Sequence, residues 1–186
     1  MKDPTKFLVL FLCAATLAGA QRPSVSHLPN PRATQRSSSA LDLVSGYREA
    51  ASKLQDQTKV PLRLPTWVPY DDDKDNPVFA TVDKAAPDSY EVELAWVSDC
   101  QGAGACHVGY ISGSASPLPE SGGAKIPVTL SGNVQGYFID AACGANCDDS
   151  AVYWTGGGNH YSISMKAEKK DTLVKMANSA MGTASK

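Results

Sequence analysis

The feature that most constrains this chain is a change of period near its middle. Tyr90, Val92, Leu94 and Trp96 alternate with Glu91, Glu93 and Ala95. Only an extended strand sends every second side chain to the same face. A strand with one apolar and one acidic face must sit in a sheet that is covered on one side and wet on the other. Weaker runs of the same type occur at 78–83, 107–112, 125–130 and 136–141. Ala151 to Thr155 and Tyr161 to Lys166 read as a hairpin joined by Gly156-Gly157-Gly158-Asn159, residues that tolerate the positive φ of a tight reversal.

Helical spacing flanks these strands. Leu43, Val44, Tyr47, Ala50, Ala51 and Leu54 share one face of an expected helix over 40–56. Leu173, Met176, Ala177, Ala180 and Met181 do the same over 168–181, with Gly182 as the stop. Between the first helix and the strands, Pro61 and Pro65 confine Val60–Pro65 to an edge strand or an extended arm. The expected fold is α+β: an antiparallel sheet of about five to seven strands with an N-terminal and a C-terminal helix packed on one face. Residues 40–186 are read as a single domain.

The first twenty residues read as an export signal. Lys2 and Lys6 precede an apolar run from Phe7 to Leu17, and Ala18-Gly19-Ala20 offers a cleavage site before Gln21. That run is shorter than the roughly 20 residues a bilayer needs, so no stable membrane insertion is expected after cleavage, in the periplasm or outside the cell. Residues 21–39, rich in Ser, Pro, Arg and Gln, are expected to be a flexible leader. The formal net charge of −2 offers no basic footprint for phosphate backbones, so nucleic acid is not an expected partner.

Export gives meaning to the remaining cysteines: Cys100, Cys106, Cys143 and Cys147. An even number of thiols in an oxidising compartment reads as two disulfides, and four cysteines permit three connectivities. Small-residue loops favour the local pairing, Cys100 with Cys106 and Cys143 with Cys147. Zinc is disfavoured because the first pair has too wide a gap. His107 follows Cys106, yet neighbours in a strand point to opposite faces, which argues against a Cys–His nucleophile.

Three stretches, 60–69, 89–100 and 152–179, resemble a family of exported bacterial α+β domains of unknown function. The shared pattern is a proline-bearing arm, a strand leading into a cysteine-bounded turn, and a terminal hairpin and helix carrying Trp154, Gly158, Tyr161, Leu173 and Ala177. The likeness spans most of residues 58–181. It implies fold and location and brings no activity with it.

Other residues invite chemistry. Asp71, Asp73 and Asp75 match the first positions of a calcium loop, but Asn76 stands where the glycine should be and Val82 where the glutamate should be. Asp140, Asp148 and Asp149 crowd the second cysteine pair and, with His160, are the residues a small hydrolase would use. Gly-x-Ser-x-Gly, His-Glu-x-x-His, phosphate-loop and dinucleotide patterns are absent from the sequence. Trp96 and Trp154 read as core. Trp67 and Tyr70 could grip a sugar ring or a partner's apolar side chain, which makes Trp67, Tyr70 and His160 the candidate binding residues. No catalytic residue, metal or cofactor is assigned. The reading is a disulfide-stabilised, non-catalytic binding or accessory domain, whose partner is an envelope or extracellular protein or a glycan. An enzyme inhibitor falls within that class; a small hydrolase or a carbohydrate-contacting module is the alternative.

Overall fold

A computed structural model describes residues 39–70 and 77–182, with side chains of the first helix from Tyr47 onward. The signal, all but the last residue of the leader, the acidic run 71–76 and the helix side chains at 43 and 44 lie outside the described residues. The elements run α1 (Ser39–Gln55), β1 (Phe79–Ala86), β2 (Ser89–Ala95), β3 (His107–Ser114), β4 (Lys125–Leu130), β5 (Val134–Ile139), β6 (Asp149–Gly156), β7 (Asn159–Lys166) and α2 (Lys170–Met181). This is the α+β architecture that the change of period implies.

The seven strands form one open antiparallel sheet in the order β1-β2-β3-β7-β6-β5-β4. Two meanders, β1 to β3 and β4 to β7, therefore join along a central β3–β7 seam. In that seam Ile111 lies opposite Ile163, and Gly109 opposite Met165. Pro127 sits on edge strand β4, where a missing N–H costs no ladder bond.

One face of the sheet is apolar. Tyr90, Val92, Leu94, Ile111, Ile163 and Trp154 share a buried cluster with Tyr47, Ala50 and Leu54 of α1 and with Leu173, Met176 and Ala177 of α2. Both helices thus cover the same side. Residues 60–65 form an extended arm, not a strand, and Val60, Leu62 and Leu64 still alternate into the core. The arm is anchored at two points. The Arg63 N–H donates to the Tyr90 hydroxyl at 2.9 Å, and the Arg63 guanidinium donates to the Met181 carbonyl at 2.8 Å. Burial pushes the Tyr90 phenol pKa well up, so it stays a neutral partner. Among the described residues no helix is long and apolar enough to cross a membrane.

Two local expectations are corrected, and the stop at Gly182 holds with a different backbone shape. The hairpin turn is only Gly157-Gly158, with φ of 60° and 79°, because Gly156 and Asn159 already pair as strand residues. Gly182 caps α2 at φ −74°, so its left-handed freedom is not used. Trp96 lies just past the end of β2, partly buried against the core, with Tyr70 beside it at 5.5 Å between ring centroids.

Candidate functional site

The opposite, polar face carries the site, and a bulge builds it. Leu94 pairs with Gly109 while Ala95 pairs with His107, so Val108 is the extra residue in β3. Strict alternation would place His107 with Gly109 and Ile111 on the apolar side. The extra residue turns it onto the polar face beside Tyr110. Val108 packs into the core instead. Gly109 permits this, since a Cβ there would come within 2.0 Å of the Ser164 carbonyl oxygen.

Once turned, His107 lies between two carboxylates from neighbouring strands. Its Nε2 is 3.0 Å from Asp149 Oδ2, and its Nδ1 approaches Glu93 Oε1 at 3.6 Å, an ion-pair distance too long for a hydrogen bond. Nδ1 is buried without a hydrogen-bond partner among the described residues. The ring packs on Tyr110 at 4.6 Å between centroids. The hydrogen bond to Asp149 raises the His107 pKa above the ordinary histidine value, and the Glu93 carboxylate adds to it; together they outweigh the opposing effect of burial. Glu93 is 4% exposed. Alternation puts it on the expected solvent side, yet the clip folded over that face buries it. A buried carboxylate is tolerable only when paired and hydrogen-bonded; His107 and the Gly102 N–H, 3.0 Å from Oε1, supply both.

The covering pieces are the cysteine loops. The structure pairs Cys100 with Cys106 and Cys143 with Cys147, the two local bridges. None of these sulfurs can therefore act as a thiolate nucleophile or zinc ligand. Within the first loop, the Cys106 and His107 N–H groups both donate to the Ala103 carbonyl. The loop is also tied to the sheet, since the Lys166 ammonium donates to the Gly104 carbonyl at 2.8 Å. In the second loop the Asp148 N–H donates to the Ala142 carbonyl, and the Asp148 carbonyl accepts from the Ala167 N–H.

Between the loops opens a cleft of about 680 Å³. Its floor is His107, Tyr110 and Asp149; its walls are Gly102, Gly104 and Ala105 on one side and Asn146, Cys147 and Asp148 on the other, with Lys166 at the rim. Ser164 is nearby, but its hydroxyl donates to Asp149 Oδ2 at 2.9 Å and not to the imidazole. A serine, a histidine and an aspartate are thus gathered without the serine–histidine contact that nucleophile activation requires. Among the described residues no group of three or more metal-ligating side chains converges.

The residues singled out from sequence lie elsewhere. His160 sits at the turn end of the β6–β7 hairpin, paired with Thr155, while Asp149 is at the other end, paired with Lys166. Six residues of strand, roughly 20 Å, separate the two ends, so Asp148 and Asp149 cannot share a substrate atom with His160. Asp140 is exposed, and its carboxylate accepts from the Ala141 N–H. The hollow beside His160 holds only about 50 Å³. The Trp67 ring is capped by the Lys175 ammonium at 3.5 Å, its backbone N–H donates to Ser179, and the indole packs partly against the core. Tyr70 is 48% exposed, but its hydroxyl is held by Glu168 at 2.9 Å. Neither ring lines the cleft.

Sequence reasoning weighed His107 only as the base of a Cys–His nucleophile and set it aside, and it missed Glu93, Tyr110, Asn146 and Lys166. Glu93 and Tyr110 were legible as polar-face strand residues, but nothing local to His107 announced the bulge. Comparisons with protein-family models, with curated proteins and with solved structures each return no match.

Proposed function

We propose that this chain is exported and works as a non-catalytic binding domain, its ligand site the cleft between the two disulfide loops. The observation that carries the reading is the state of His107. Both ring nitrogens face carboxylates and Nδ1 is buried, so the imidazole is committed to holding the floor and has no nitrogen to offer a substrate proton. The loops are fixed by covalent bridges and by the Gly102–Glu93 and Lys166–Gly104 bonds, so a ligand meets walls that lose little freedom on binding. Export is supported by the basic–apolar–small pattern of residues 1–20 and by oxidised cysteines. The resemblance to exported bacterial α+β domains belongs to the same reading, with an envelope or extracellular molecule as partner.

Two measurements test it. The mature N-terminus, read by mass spectrometry on material from the expressing cell, is expected at Gln21; recovery with residues 1–20 attached inside the cytosol removes the export claim. Chromogenic ester, amide, glycoside and phosphoester substrates are expected to turn over no faster with the wild type than with His107→Gln. A turnover that His107→Gln abolishes overturns the non-catalytic reading.

A further inference from the structure

We infer that the cleft between the disulfide loops is a saccharide subsite that takes a neutral, hydroxylated ring; this rests on the cleft being the binding site. The charges of the lining argue first. It carries the Lys166 ammonium beside the Asp148 and Asp149 carboxylates, while the His107 ring is taken up by Asp149 and by Glu93 beneath it. A lining in which both signs stand side by side meets either a strong cation or a strong anion with a like charge as well as an opposite one. The walls give a lipid or an apolar side chain little aliphatic surface, since apart from the Ala105 methyl and the Cys147 sulfur they present backbone and the Asn146 amide.

The unspent groups argue next. Asp149 is occupied by His107 and Ser164, and Lys166 by the Gly104 carbonyl. The Asp148 carboxylate, the Asn146 side-chain amide and the Tyr110 hydroxyl, by contrast, have no hydrogen-bond partner among the described residues. Together they offer a charged acceptor, an amide that both donates and accepts, and a phenol that does either. Vicinal hydroxyls of a sugar ring match that set, each acting as donor to the carboxylate and acceptor from the amide. Tyr110 is the one aromatic ring in the lining and supplies a surface for the C–H face of the ring. The volume of about 680 Å³ falls in the usual range for small-molecule sites and exceeds the needs of one ring, so the cleft holds a sugar together with part of its neighbour.

The test is amide NMR on the oxidised, isotope-labelled chain, titrated with glucose, N-acetylglucosamine and a short N-acetylglucosamine oligomer, with arginine and glutamate as charged probes. The expected result is saturable shifts at residues 102–105 and 146–149 with a sugar. Asp148→Ala should weaken binding about tenfold or more, as loss of a hydrogen bond to a charged group does; Trp67→Ala and His160→Ala should leave it unchanged. Asp148 makes its structural bonds through its backbone, so that variant keeps the fold. Tighter binding of the oligomer assigns the site to a polymer, and equal binding to a single sugar residue. Saturable shifts in the cleft with arginine or glutamate alone overturn the saccharide assignment and leave the cleft as a binding site. Shifts with no probe, or only at the Trp67 or His160 regions, overturn both.

Discussion

The β6–β7 hairpin has a histidine near each end, and the two ends are built on opposite principles. At the turn end, His160 stands beside Gly157-Gly158, where local chain chemistry alone makes the structure. At the other end, Asp149 meets a histidine from β3 and a glutamate from β2 is drawn in, beneath two disulfide loops from distant parts of the sequence. The first end is visible in five consecutive residues and holds only a small hollow. The second depends on contacts between strands far apart in the chain and opens the large cleft. Local signals locate turns. Buried charge locates sites.

Substitution should expose this difference most sharply at glycine. Gly109→Val drives a side chain into the Ser164 carbonyl in the central seam, and should cost about 3 kcal/mol or more or prevent folding. At the turn end, Gly158→Ala meets no neighbouring atom and has only its φ of 79° to contend with, so about 1–2 kcal/mol is expected. Chemical denaturation of both variants measures the contrast; equal losses would break it.

The histidines themselves come next. His107→Ala strips the buried Glu93 of its countercharge and should destabilise the fold by about 3 kcal/mol, part of it recovered by adding Glu93→Gln. His160→Ala should stay within about 0.5 kcal/mol of wild type. Reduction of the disulfides should cost about 2 kcal/mol per loop on the chain-entropy estimate, and its effect on amide shifts should concentrate around the cleft and fade toward the turn end.

Titration sharpens the same comparison. A histidine whose pKa is raised by folding adds stability that is complete below its unfolded value of about 6.5 and is lost as pH climbs through the folded value. The wild type should therefore lose stability as pH rises from about 6.5 through the elevated His107 pKa. His107→Gln should flatten that slope, and thermal melts across the pH range give the comparison. A slope untouched by His107→Gln would show that this histidine is not the group responsible.

Much of the fold was legible in the sequence because its signals are periodic. All seven strands and both helices lie where alternation and helical spacing put them, with ends displaced by no more than three residues. The arm at 60–65 keeps the alternating burial of a strand, but its prolines and its bonds to Tyr90 and Met181 make it a strap across the core. The site was legible only in its outline. The cysteine loops could be seen, but not that they face each other across one cleft, because strand order and not sequence order brings them together. His107 was hidden for a sharper reason. Strict alternation from Ile111 would put it on the apolar face, and one extra residue in β3, held open by a glycine with no room for a Cβ, turns it to the other. Trp67 and Tyr70 stand away from the cleft: the Trp67 ring carries Lys175 of α2 and its N–H meets Ser179, while the exposed Tyr70 donates its hydroxyl to Glu168.

The account turns on the His107 ring held between Glu93 and Asp149 as the floor of the cleft, with its protonated form favoured by both. Proton–nitrogen NMR of the His107 ring, followed from acid to alkaline pH, reads this directly. The titration midpoint should lie above the ordinary 6.5, because Asp149 and Glu93 favour the protonated ring. A midpoint at or below that value would contradict the account and return the imidazole to the groups free to act on a substrate.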